Sequence, residues 1–207
     1  MAFIKQTAPR TTHTDERAQK RDFAGLTAEL NDPDPVARRW AARDLLQHSQ
    51  ASAVLAARLA VEEDPTVREV MLTSLTRLGD ATAVAALIEC LRSEDAPKRN
   101  AAIEAMKALP NEVAPIMGGL LGDADPDVRI LAVNILESLC HPQVEAWLIE
   151  VIERDAVVNV CATAVDLLGE VGSQAAHDAL ERLKKRFPVE PYIQFAADLA
   201  LQRTAKA

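Results

Sequence analysis

Residues 64–75 read DPTVREVMLTSL, an Asp-Pro pair followed by apolar residues at helical spacing. Asp is a good helix N-cap, and Pro suits the first helical position because the nitrogen there needs no hydrogen-bond partner. Apolar residues stand three, six, seven and eleven positions after Asp64, which places them on one face of a helix. They are Val67, Val70, Met71 and Leu75. The stretch therefore predicts an amphipathic helix with a defined start.

The same pattern recurs along the chain. Its other copies are DPVARRWAARDL (34–45), DAPKRNAAIEAM (95–106), DPDVRILAVNIL (125–136), DAVVNVCATAVD (155–166) and a weaker EPYIQFAADLAL (190–201). The starts from 34 to 155 are 30, 31, 30 and 30 residues apart, and the last gap is 35. Trp40 stands in the apolar row six positions after its Asp, so core packing is expected for it. Such regularity indicates repeats of one structural unit.

A second helix fits between each two copies, so each repeat is predicted to be a helical hairpin. We call its first helix A and its second helix B. No single hairpin buries both of its faces, so neighbouring hairpins must stack. The predicted fold is all-α, an α-solenoid with a right-handed superhelix of about six helical hairpins. The expected hairpins lie at about 22–48, 51–79, 82–110, 112–140, 142–170 and 172–204, within a solenoid over 22–207.

Charge and composition limit the classes of partner. Residues 1–21 carry five basic and two acidic side chains and lie outside the repeats, so they are expected to be a mobile basic arm. The whole chain carries −8, which leaves −11 on the remainder and disfavours nucleic acid as a partner. No apolar run of about 18 residues predicts a membrane span, and no signal peptide is apparent, so a cytoplasmic location is expected. The three cysteines form no CxxC pair and are expected to be small buried residues.

Arginine recurs four residues after the Asp, in the first turn of each of four B helices. A cation there opposes the helix dipole, so its recurrence indicates a local acceptor, and the Asp of the same or an adjacent repeat is the expected one. A turn Asp, a Pro, an apolar residue and then Arg resemble HEAT repeats, and the period of about 30 resembles the subclass of phycobilisome lyase subunits. The resemblance implies a ladder between repeats that consists of Asp34, Arg38, Asp64, Arg68, Asp95, Arg99, Asp125, Arg129 and Asp155. Asn159 replaces the arginine in the fifth copy, so the ladder is expected to weaken there.

The resemblance also implies that the B helices line a concave surface, where positions five and nine after each Asp face a partner. This surface is predicted to change from charged residues at the N-terminal end to apolar residues at the C-terminal end. Its expected binding residues are Arg39, Arg43, Glu69, Glu104, Ile130, Val160, Phe195 and Leu199. The four apolar residues would anchor an apolar segment of the partner, and the charged residues would orient its polar end.

Motifs for catalysis are missing from the sequence. There is no GxGxxG, P-loop, GxSxG or His-Glu dipeptide, so no catalytic residue, cofactor or metal is predicted. Cys140-His141 has no second pair at ligand spacing, and the acidic run from Glu62 to Asp64 is expected to be a solvated helix end. The predicted function is a non-catalytic scaffold that binds another protein, and self-association stays open. The alternative, implied by the repeat subclass, is a bilin lyase or isomerase subunit, or a tetrapyrrole-binding chaperone.

Overall fold

A computed structural model describes residues 22–205, which form two compact units divided between Ser74 and Leu75. Over this range all regular secondary structure is helical. The helices of the first unit are α1 (Phe23–Glu29), α2 (Pro35–Asp44) and α3 (Ala51–Val61), and α4 (Pro65–Leu78) crosses the division. The second unit contains α5 (Ala81–Leu91), α6 (Ala96–Lys107), α7 (Pro110–Val113), α8 (Met117–Leu121), α9 (Pro126–Leu136), α10 (Val144–Arg154), α11 (Val158–Val171), α12 (His177–Arg186) and α13 (Pro191–Thr204).

Carboxylate caps start helices of both kinds. In the A helices, the Gly25 N–H donates to Asp22 (2.7 Å) and the Ala83 N–H donates to Asp80 (2.8 Å). In the B helices, the turn Asp predicted from the repeat is the N-cap of α2, α6 and α9. These side chains satisfy backbone N–H groups that have no partner within the helix, so the repeat pattern fixes where the helices begin.

The A helix of the fourth hairpin is interrupted. Its course runs through α7, a 3₁₀ turn at Ala114–Ile116, and the short α8. Pro115 has no N–H to donate and its ring crowds the carbonyl one turn earlier, which disfavours a regular α-helix at this point. Gly118, Gly119 and Gly122 follow, and they leave this side of the hairpin almost without side chains.

Apolar side chains from the predicted rows form the core of each unit. In the first unit Leu45, Leu55 and Met71 are fully buried, and the Ser74 hydroxyl joins α4 to α2 by donating to the Ala42 carbonyl at 3.1 Å. In the second unit α11 packs against α9, α10 and α13. A Cβ on Gly169 would lie 3.6 Å from Ala200, so these small residues permit the close approach of α11 and α13.

The all-α fold predicted from the repeat is confirmed. Gly79 ends α4 with a φ of +58°, the left-handed conformation that favours glycine at this position. None of the helices between residues 22 and 205 is long and apolar enough to cross a membrane. The basic arm predicted for residues 1–21 lies outside the described residues.

Candidate functional site

Arg38 shows what the recurrent arginine does. Its guanidinium donates to the loop carbonyls of Asp32 (2.8 Å) and Pro33 (3.1 Å), and to both carboxylate oxygens of Glu62 (2.8 Å each). Glu62 is only 5% exposed and also pairs with Arg58 at 2.8 Å. Burial acts to raise the pKa of Glu62, but the hydrogen bonds from Arg38 and from the Asp64 N–H outweigh it, and the pKa is lowered. The arginine therefore joins its own turn to the start of the next B helix.

Arg129 repeats this arrangement in the second unit. It donates to the carbonyls of Asp123 (2.7 Å) and Ala124 (3.3 Å), and through Nε and Nη2 to Asp155 (2.6 and 3.1 Å). Both side chains are largely buried, with 13% and 7% exposed. Burial acts to raise the pKa of Asp155, but hydrogen bonds from Arg129 and the Val157 N–H lower it. The hydrogen bonds to Asp155 also raise the pKa of Arg129, so the pair is charged at neutral pH.

At Arg38 the ladder acid is Glu62 and not a turn Asp, which corrects the expectation from the resemblance there, whereas Asp155, which that expectation named, does accept from Arg129. Asp34, Asp64 and Asp125 accept backbone N–H groups of the helix that follows, and Asp95 accepts the Lys98 N–H. The ladder carboxylate stands two residues before the N-cap, as Glu62 does before Asp64. The same position before Asp125 holds Asp123, which pairs with Arg92 at 2.5 Å. Arg99 donates to the Ser93 carbonyl at 2.6 Å. Arg68, the remaining arginine of the row, is not without a partner either.

The fifth repeat is shifted by two residues from the register predicted by its Asp. The N-cap of α11 is Val157, and the Cys161 N–H donates to the Val157 carbonyl as the Arg129 N–H donates to that of Asp125. Cys161, and not Asn159, therefore occupies the arginine position. Its thiol donates to the Asp155 carbonyl (3.3 Å), which also accepts Nη2 of Arg186 at 2.6 Å. Arg186 thus brings to this turn, from the end of α12, the guanidinium that the repeat lacks.

The shift makes one predicted binding residue wrong. Val160 is fully buried, because in the true register it stands three residues after the N-cap, in the core row of Val67 and Val128. The surface position nine residues after the N-cap is Asp166, which is exposed. The fifth B helix therefore presents a carboxylate where the sequence predicted an apolar surface.

The charged end of the predicted surface lies partly in the first unit. The Arg39 guanidinium donates to the Thr66 hydroxyl at 2.7 Å, and Glu69 is exposed. Arg43 lies over the Trp40 ring at 5.4 Å. Trp40 itself is 51% exposed, so its predicted place in the core is wrong.

The apolar end lies in the second unit, where three B helices present one surface. Phe195 is 67% exposed on α13, Leu199 is half-buried one turn later, and Ile130 is half-buried on α9. Tyr192, which the sequence analysis missed, is 53% exposed and donates its hydroxyl to Asp166 at 2.6 Å. Tyr192, Phe195 and Leu199 have the spacing of one helical face. We call these three residues, with Ile130 and Asp166, the C-terminal B-helix surface.

A groove of about 230 Å³ adjoins this surface between α9 and α11. Val133 and Leu167 contribute apolar lining, and the groove is also lined by the carboxylates Glu137, Asp166 and Glu170. Glu137 has a long contact of 3.5 Å with Lys107, which also contacts Glu104 at 3.4 Å. The surface therefore combines exposed aromatic rings with negative charge.

Other expectations about single residues also change. Glu62 is a buried partner of two arginines and not part of a solvated helix end. Cys90 and Cys161 are buried as expected, and burial raises the pKa of each thiol, but Cys140 is exposed. Between residues 22 and 205 no group of three His, Cys, Asp or Glu side chains could hold a metal ion.

Comparison with protein families gives a match to HEAT repeats over residues 23–107 and 113–202. The chain belongs to the HEAT-repeat family. This agrees with the resemblance stated from the Asp-Pro and Arg positions and with the helical hairpins described above.

Two curated HEAT-repeat relatives carry the same name. The chain is 33% identical over 147 residues to the bilin biosynthesis protein PecE of Mastigocladus laminosus, covering 69% of this chain and 54% of that protein. It is 42% identical over 74 residues to PecE of Nostoc sp., covering 35% of this chain and 29% of that protein. The chain thus spans about half the length of the first relative and less of the second.

Similar solved structures include the complex of CpcE and CpcF of phycocyanin lyase from Nostoc sp. The match covers 98% of both chains at 18% identity, with a TM-score of 0.38. Human deoxyhypusine hydroxylase matches 89% of this chain and 84% of that chain at 17% identity, with a TM-score of 0.47.

Proposed function

We propose that this HEAT-repeat chain binds another protein through the C-terminal B-helix surface. The observation that supports the proposal is the exposure of two aromatic rings, Phe195 and Tyr192, on one face of α13. Water contact with such rings is unfavourable, and aromatic residues contribute most to binding energy where a partner covers them. Leu199 on the same helix and Ile130 on α9 are half-buried apolar side chains of this surface, so a partner segment has several side chains to contact.

The charges around this surface indicate the chemistry of the partner. Asp166, Glu137 and Glu170 line the groove, and Lys107 contacts Glu137 at 3.5 Å. An amphipathic segment with apolar residues on one side and Lys or Arg on the other would match both features. The apolar contacts would supply most of the affinity, and the carboxylates would raise the association rate at low salt.

The test compares two variants of the same kind. The wild-type chain is first used to capture a partner protein from the source organism, and that partner is identified and purified. Its affinity is then measured for the wild type, for the double variant Ile130→Asp with Phe195→Asp, and for Val189→Asp. Val189 is 82% exposed in the loop before α13 and lies outside the surface, so its variant controls for an added carboxylate. We expect the double variant to stay folded and to bind about tenfold or more weakly, while Val189→Asp binds as the wild type does.

Two results would contradict the proposal. Equal affinity of the double variant and the wild type would mean that the partner binds elsewhere. An unfolded double variant would mean that these positions are core, as Val160 proved to be.

A second candidate is a role with bilins, supported by the similarity to two bilin biosynthesis proteins and by the repeat subclass. Because the chain spans only part of each relative, this role is proposed for a bilin-binding subunit and not for a complete enzyme. Binding to the purified protein should change the visible absorption spectrum of biliverdin. A titration should reach its end point at one biliverdin per protein chain. A spectrum equal to the sum of free protein and free pigment would count against it.

A further inference from the structure

An open cleft of about 470 Å³ lies between α8 and α10 in the second unit and shares no residue with the C-terminal B-helix surface. Gly118, Gly122 and Leu121 line it from α8 and the residue after it, and Trp147 and Val151 line it from α10. The volume is within the range of small-molecule sites, which lie at about 300–1,000 Å³.

Gly118 and Trp147 give parts of the cleft a flat lining. A Cβ placed on Gly118 would meet no atom within 4 Å, so the glycine leaves space open where any other residue would put a side chain. The Trp147 ring stacks on His141, with centroids 5.0 Å apart and planes 11° from parallel, which leaves one ring face not covered by the histidine. A bare backbone on one side and an indole on the other suit a planar ring system.

Two guanidinium groups line the same cleft. Arg129 directs four of its five N–H groups to Asp155 and to the turn carbonyls, and one N–H of Nη2 is left over. Asp155 and Asp123 are neutralised by Arg129 and Arg92. Within residues 22–205 Arg154 pairs with Glu150 of its own helix and is 77% exposed, and such surface pairs are weak. Arg154 can therefore bind the carboxylate of a ligand in place of Glu150, because the Glu150 side chain is exposed and would then be solvated by water.

We propose that this cleft binds a planar, conjugated organic acid, with its rings between Gly118 and Trp147 and its carboxylate at Arg154. The proposal does not depend on the protein-binding surface, because the two sites share no residue. A bilin is itself a conjugated acid, so its placement in this cleft rests on the second candidate function, whereas a synthetic flat acid tests the cleft without that assumption.

The probe is pyrene-1-carboxylate, with 1-pyrenemethanol as its uncharged twin. Trp40 and Trp147 are the two tryptophans of the chain, so Trp40→Phe leaves Trp147 as the reporter. We expect pyrene-1-carboxylate to quench Trp147 fluorescence saturably at one equivalent and the uncharged twin to bind about fivefold more weakly. Arg154→Ala should remove this difference between the two probes without changing the affinity for pyrenemethanol.

Two neighbouring glycines supply the matched control. Gly118→Leu should fill the cleft and weaken binding about tenfold or more. Gly119→Leu places the same side chain one residue along, where a Cβ also meets nothing within 4 Å but does not line the cleft, and it should leave binding unchanged. Equal effects of the two leucines, or quenching that does not saturate, would overturn the site. Equal binding of the acid and its uncharged twin would overturn the role of Arg154.

Discussion

Replacing Arg129 by methionine should lower the free energy of unfolding by about 3–5 kcal/mol, the range for breaking one side of a buried ion pair. Methionine has a similar volume, so most of the loss comes from the charge and the hydrogen bonds and not from a cavity. Asp155 would remain largely buried with the Val157 N–H, and two turn carbonyls would lose their donor. Urea unfolding followed by circular dichroism and by Trp147 fluorescence measures the change.

The deficit should depend on pH. The folded pKa of Asp155 is lowered in the wild type, so its contribution is complete above the ordinary Asp pKa of about 3.9. That contribution is lost as the pH falls through the lower folded pKa. In Arg129→Met the hydrogen bond that lowers the pKa of Asp155 is gone, so burial raises that pKa. A fall in pH then protonates the unpaired carboxylate and removes the cost of burying its charge. The gap in stability between wild type and variant should therefore narrow from pH 7 towards pH 4.

Arg92→Met is the control for this experiment. It removes the same kind of guanidinium from a similar pair with Asp123, but the Arg92 side chain is 40% exposed. Its effect should be clearly smaller, since water can solvate the remaining carboxylate. Equal losses in the two variants, or a gap that does not change with pH, would show that burial of the Arg129 pair does not stabilise the second unit as described.

The sequence predicts the hairpins well because their signals are local. An N-cap, a proline at the first helical turn and apolar residues at helical spacing act within one or two turns of the chain. Each can be recognised from a few neighbouring residues, as at Asp34, Asp95 and Asp125. The interruption of the fourth A helix also has a local cause in Pro115, which the analysis of the repeats passed over.

The register of the fifth repeat was not predictable in the same way. Asp155 follows Asp125 by 30 residues and suits an N-cap, so the period itself favoured the wrong alignment. Its structural role is that of Glu62, two residues earlier in the turn, and the evidence for this is the long-range bond from Arg129. The buried Val160 and the contact of Arg186 with Cys161 (3.1 Å) both follow from that shift. Single residues carry no local signal for it.

The ladder acid was missed for a related reason. Glu62 stands in a run of three acidic residues, and exposed charge is the ordinary interpretation of such a run. Only the fold brings Arg38, 24 residues earlier, to within 2.8 Å of its carboxylate. An arginine in the first turn of a helix did indicate an acceptor, but not which of three neighbouring carboxylates it would be.

These three carboxylates therefore allow a direct test in the first unit. Glu62→Ala should lower the free energy of unfolding by about 3–5 kcal/mol, because Arg38 and Arg58 are both largely buried and would lose their shared carboxylate. The Asp64 N–H would lose its acceptor as well. Denaturation followed by Trp40 fluorescence, in a chain that also carries Trp147→Phe, reports on this unit.

Glu63→Ala and Asp64→Ala complete the series. Glu63→Ala deletes the same side chain as Glu62→Ala does, but at an exposed position. Its free energy of unfolding should therefore equal that of the wild type. Asp64 caps α4 through the Thr66 and Val67 N–H groups, so its removal should destabilise the unit, but less than the removal of Glu62. The expected order of loss is Glu62, then Asp64, then Glu63. If Asp64→Ala had the largest effect, the turn Asp itself would be the residue that holds neighbouring hairpins together, and the ladder described for Arg38 would be wrong.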